Sequence, residues 1–151
     1  MSRILGQHIA SGGHREVYEH VLCPGLVVKV GGFPSNPLAN WHEATIWQLV
    51  DTHQLPERER LAPVVGLSAD FQYLVQIRVM TDHPHSDDEC VRLMPDWFRD
   101  VHSGNCGLYN GRLVLFDYGF RDMFSQLRKH LGVNIEEPKE RTYARNGPGA
   151  A

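Results

Sequence analysis

The chain has 151 residues, 42% hydrophobic and 22% charged, with a net charge of −3. That is enough for one domain with its own core. The mild acidity gives no basic field to favour nucleic acid or an anionic membrane. The three cysteines, Cys23, Cys90 and Cys106, are odd in number and widely spaced, which argues against a disulfide framework and for a reducing compartment. Gly6, Gln7 and His8 follow Arg3, so no apolar run of signal-peptide length opens the chain. No run reaches the length of a membrane span. The expected location is the cytoplasm, with no membrane or nucleic-acid partner.

In chain order, residues 3–9 and 15–22 read as strands separated by Ala10-Ser11-Gly12-Gly13, and Cys23-Pro24-Gly25 is a turn. Leu26-Val27-Val28-Lys29-Val30 is a third strand, β-branched and almost wholly apolar. A helix is predicted to follow, with Asn36 as N-cap and Pro37 in its first position, running to about Val50. Residues 64–77 read as two more strands around Ser68-Ala69-Asp70. A polar connector at 81–88 leads to a short helix from about Asp88 to Met94. After Gly119, Phe120, Met123, Phe124, Leu127 and Leu131 fall at helical spacing and form one apolar stripe. The fold class is α+β: a five-stranded antiparallel sheet with one helix, then a β-hairpin and a final helix. One domain spans 1–135, divided near residue 80, and 136–151 reads as a loosely ordered tail.

Asn110-Gly111 is the strongest short hairpin signal in the chain. With these as the loop residues, Tyr109 pairs with Arg112, Asn105 with Phe116 and Gly104 with Asp117. Asn105 and Asp117 then lie roughly 5–8 Å apart at the backbone. Two oxygen-bearing side chains at that separation can share one Mg²⁺, which takes a few protein oxygens plus substrate phosphates. Asp117 also ends the apolar run Leu113–Phe116, where its charge needs a counter-ion.

Lys29 interrupts an apolar strand. On the following helix, Glu43 shares a face with Ala39, Ile46, Trp47 and Val50. A carboxylate on an apolar face needs a partner, and Lys29 is the natural one. A lysine so held could reach the phosphates of a nucleotide. Gly12 and Gly13, between two strands, could bring backbone N–H groups to phosphates, although such a pair more often makes a plain hairpin turn. The cluster His83, His85, Asp87, Asp88 and Cys90 matches no zinc spacing and reads as a solvated connector.

Taken together, these segments resemble the protein-kinase-like superfamily, most closely its aminoglycoside and choline phosphotransferase branch. That branch has the loop D-x-H-x-x-N, here Asp100-Val101-His102-Ser103-Gly104-Asn105. Asp117-Tyr118-Gly119 stands for D-F-G, Lys29 in Val-Val-Lys-Val for the V-A-I-K lysine, and Glu43 for its helix partner. The likeness spans roughly residues 4–119. It implies ATP as phosphoryl donor, Asp100 as the base taking a proton from a substrate hydroxyl, and Asn105 and Asp117 as Mg²⁺ ligands. It also implies that Lys29, oriented by Glu43, holds phosphates beneath Gly12 and Gly13. The chain departs from the family in three places. Ala10 and Arg15 occupy the first and third glycine positions of the loop. About twenty residues separate the expected hinge near 77–80 from Asp100, and only 32 follow Gly119, with no A-P-E motif. The expected C-terminal lobe is therefore minimal. A pseudokinase-like module that engages or inhibits a protein partner without turnover is the alternative reading.

Overall fold

A computed structural model describes residues 2–139. Its first half is a five-stranded antiparallel sheet of β1 (Leu5–Ser11), β2 (Glu16–His20), β3 (Leu26–Val30), β4 (Val64–Leu67) and β5 (Tyr73–Ile77). The spatial order is β1-β2-β3-β5-β4. The central β3 is the most apolar strand and the best buried, with Val27, Val28 and Lys29 all under a tenth exposed. In its register Lys29 sits between Val17 on β2 and Leu74 on β5. Helix α1 (Ala39–Thr52) packs against β4 and β5.

The predicted start of α1 is corrected. Asn36 is not its N-cap: the helix begins at Ala39, and Leu38 occupies the cap without a side-chain hydrogen bond. Asn36 is used elsewhere. Its carbonyl accepts from Ala39 N at 3.3 Å, and its side-chain amide donates to Gly119 O at 3.3 Å. A tertiary tie has taken the group that would have capped the helix.

The second half comprises α2 (Asp87–Leu93), the hairpin β6 (Cys106–Tyr109) and β7 (Arg112–Leu115), and α3 (Arg121–Leu131). Ser86 caps α2 by accepting from Glu89 N at 3.1 Å. The hairpin pairs Tyr109 with Arg112 and Cys106 with Leu115. Asn110 and Gly111 take φ values of 51° and 75°, the left-handed pair that a two-residue turn requires. Asn105 lies opposite Phe116, whose N–H donates to Asn105 O at 3.1 Å.

The main core lies between α1 and this second half. Ile46 and Val50 of α1 meet Leu115, Tyr118, and Met123, Phe124 and Leu127 of α3, all close to fully buried. The α3 stripe is thus a packing face, as its spacing predicts. Tyr118 closes the core with its hydroxyl donating to Ala62 O at 2.6 Å. The hairpin is stitched to the strand connector by paired bonds between Met80 and Leu108, at 2.8 and 2.9 Å. Most of the tail expected from Glu136 lies outside the described residues. Its first part pairs with the body, Glu137 accepting from Arg121 at 2.8 Å.

Candidate functional site

A cleft of about 560 Å³ lies between the sheet and the hairpin. Ile9, Val17, Val27, Val79 and Phe116 give it apolar walls. Its polar groups come from segments far apart in sequence: Gly12 and Gly13, Arg15, Lys29, the loop from Asp100 to Asn105, and Asp117. Beside the cleft, the backbone N–H of Val79 has no hydrogen-bond partner among the described residues.

Glu43 lies behind the cleft, fully buried, and is the hub of its charged wall. Its Oε2 accepts from Lys29 Nζ at 2.8 Å and from Arg15 Nη1 at 2.8 Å. Its Oε1 accepts from Arg15 Nη2 at 3.1 Å and from the backbone N–H of Tyr118 at 2.6 Å. The expected Lys29–Glu43 pair is therefore present, but within a larger network. Arg15, 5% exposed, also donates from Nη2 to Asp117 Oδ1 and from Nη1 to Asn40 Oδ1 at 3.2 Å. Lys29 additionally donates to Phe116 O. Two cations and two carboxylates thus close a neutral cluster in which Arg15, Lys29 and Glu43 are buried and Asp117 is half-exposed at the cleft.

The electrostatics follow from that balance. Burial lowers the Lys29 pKa, with Glu43 pulling it back and the neighbouring Arg15 pushing it further down. Burial would also lower Arg15, but Glu43 and Asp117 outweigh it and raise its pKa. For Asp117, burial favours the neutral acid. Arg15 and Lys29 override it and hold the carboxyl below its ordinary value.

Asn105 is 3% exposed, and its Nδ2 donates to two carbonyls, Asp100 O at 3.0 Å and Asp117 O at 2.9 Å. Both partners are acceptors, so the amide orientation is fixed and Oδ1 is the atom left over. This ties the two expected metal-side residues together, as the hairpin register predicts. Asn105 Oδ1 and Asp117 Oδ2 accept no hydrogen bond among the described residues, and both residues line the cleft. Among the described residues no three or more His, Cys, Asp or Glu side chains cluster as a metal site. One carboxylate oxygen and one amide oxygen would suit Mg²⁺, which takes few protein oxygens and completes its shell with phosphate and water.

Asp100 stands at the open side of the cleft with its side chain about half exposed. Its φ of 54° is left-handed, a conformation Asp tolerates better than most residues. Gly104 N donates to His102 Nδ1 at 3.1 Å, so the ring proton sits on Nε2, 3.4 Å from Asp100 Oδ1. The polar connector also has a use that its composition did not reveal. Asp87 Oδ1 accepts from Ser103 N at 2.6 Å, and His85 Nε2 lies 2.9 Å from Ser103 O. The Asp100–Asn105 loop is thereby clamped from outside, and the bond from Ser103 N lowers the Asp87 pKa.

The glycine loop is only partly free. Gly12 N donates to Arg15 O at 2.8 Å, and Ser35 Oγ donates to Gly13 O at 2.9 Å. Neither glycine has positive φ, and a Cβ at Gly13 would meet nothing. The protein itself therefore makes no steric demand for glycine at 13, and the space above it is open to a ligand.

Arg15 is the cleft residue that sequence reasoning missed, since in sequence it is only a departure from the glycine pattern. A charge count could have found it. Glu43 and Asp117 against Lys29 alone leave one unpaired negative charge at the edge of the core, which calls for a second cation.

A scan against models of known protein families matches none of them. A search of curated proteins likewise returns no match.

Proposed function

We propose that the chain is a compact kinase-like phosphotransferase that binds ATP with Mg²⁺ and transfers a phosphoryl group to a hydroxyl-bearing acceptor. The observation that carries this reading is convergence. Lys29, the Asp100–Asn105 loop and Asp117 come from three segments of the chain and line one cleft, to which Ile9, Val17, Val27, Val79 and Phe116 add apolar walls. Such a mixture of apolar slot and few directed polar groups suits a nucleotide.

In this reading the apolar walls hold the base, and the unpartnered Val79 N–H offers it a hydrogen bond. Lys29, oriented by Glu43, contacts phosphate oxygens, as does the open face above Gly13. Asn105 Oδ1 and Asp117 are the atoms that would hold Mg²⁺, which neutralises charge on the transferring phosphoryl group when bound. Asp100 takes the acceptor hydroxyl proton, and His102 Nε2–H orients its carboxylate. Catalysis is then positioning and charge neutralisation rather than covalent chemistry.

The second reading is a pseudokinase-like binding module that engages or inhibits a protein partner without turnover. One observation favours it: Asp117 is already ion-paired to Arg15. The two readings part at Asp100. In the enzyme, Asp100→Asn abolishes transfer from γ-labelled ATP while ATP still raises the melting temperature. Equal transfer by wild type and variant, or none by either, removes the assigned role of Asp100.

A further inference from the structure

Asp117 has one oxygen engaged and one open. The engaged oxygen is held by a guanidinium that is itself 5% exposed and locked in place by Glu43 and Asn40. A fork of this kind, paired with two carboxylates at once, is a strong and well-oriented counter-ion. It also comes from the glycine loop: Arg15 is two residues past Gly13, and its carbonyl closes that loop by accepting from Gly12 N. The loop that would cover the phosphates and the carboxylate that would meet the cation are therefore joined through one side chain.

We infer that Arg15 is a resident counter-ion for Asp117 that has to give up this contact before Asp117 can ligate a divalent cation with both oxygens available. Resting on the nucleotide reading above, Arg15 sets how much Mg²⁺ the site needs. Released from Asp117, Nη2 keeps its other acceptor, Glu43 Oε1 at 3.1 Å, so the guanidinium is not left without a partner. Arg15 keeps its Nη1 bond to Glu43 in the process, so Lys29 remains oriented. Arg15 is a positioning residue that tunes the affinity of the site for Mg²⁺, acting on Asp117 rather than on the reacting atoms.

The test follows the Mg²⁺ concentration at which ATP raises the melting temperature half-maximally. Arg15→Gln keeps an amide donor near Glu43 but removes the charge that competes for Asp117. Its Mg²⁺ midpoint should fall about tenfold below wild type, the scale of one lost hydrogen bond between charged groups. An unchanged or higher midpoint overturns the inference. The wild type supplies an independent readout should the variant fail to fold. The Arg15 side-chain nitrogen resonances should move between ATP alone and ATP with saturating Mg²⁺, and resonances that stay fixed overturn the inference too. A wild type and variant both unmoved by ATP at every Mg²⁺ concentration sink the nucleotide reading and this inference with it. ATP-dependent stabilisation with equal midpoints sinks this inference alone.

Discussion

The two walls of the cleft are built on opposite principles. On the sheet side, Arg15, Lys29 and Glu43 are each 5% exposed or less, and every charge is met by another. On the hairpin side, Asp100 and His102 are about half exposed, and the backbone around them does the holding through Asn105, Asp87 and His85. A dry charged cluster is coupled to folding, because removing one partner strands the rest without water. A wet loop held by backbone hydrogen bonds can lose a side-chain charge at little cost. Binding geometry and stability should therefore be inseparable on one wall and separable on the other.

The largest effect expected from this contrast is at Glu43. Glu43→Ala leaves Arg15 and Lys29 buried with like charges and the Tyr118 N–H without its acceptor. It should destabilise the fold by about 3–5 kcal/mol in urea unfolding. A loss under about 1 kcal/mol would mean that water reaches the cluster, and the contrast would fail.

A smaller effect comes from His42, on the core-facing side of α1. It is 2% exposed, packed against Trp41 and Phe124, and neither ring nitrogen has a hydrogen-bond partner among the described residues. Glu137 is 3.6 Å from Nε2, and Arg121 binds the same Glu137. Burial lowers the His42 pKa from 6.5, with Glu137 opposing and Arg121 adding to the shift. The unfolded chain therefore takes up a proton near pH 6.5 that the folded chain refuses. Stability from this group is complete above that pH and falls as pH drops below it, by at most about 1.4 kcal/mol per pH unit until the folded-state pKa is reached. His42→Leu should flatten this part of the pH–stability curve. An unchanged slope in that variant assigns it to other groups.

The smallest stability effect is expected at Asp100. Asp100→Asn retains a side chain suited to left-handed backbone and should change stability by no more than about 0.5 kcal/mol. A larger loss would show that the hairpin wall also depends on charge, and would blur the distinction between the two walls.

The parts of this arrangement that could be read from sequence are those with a local signal. Asn110-Gly111 fixes the hairpin register, and the register alone puts Asn105 opposite Phe116 and next to Asp117. Lys29 in an apolar strand and Glu43 on an apolar helix face announce each other, because neither is tolerable alone. The stripe from Phe120 to Leu131 marks a packing helix by spacing. What was not legible depends on contacts between distant segments. Asn36 has the right chemistry for an N-cap but is tied to Gly119, 83 residues on. Arg15 reaches Asp117 across 102 residues, and nothing in its neighbours points there. The His85–Asp87 clamp looks in sequence like any solvated connector, since its partner is a backbone group of Ser103.

A thermal melt with ATP decides whether the cleft holds a nucleotide. With ATP and Mg²⁺ at about 100 times the Kd, the protein should gain about 2.7 kcal/mol of stability, and markedly less when Mg²⁺ is chelated. A melt that ATP leaves unmoved with and without Mg²⁺ contradicts a nucleotide site in the cleft.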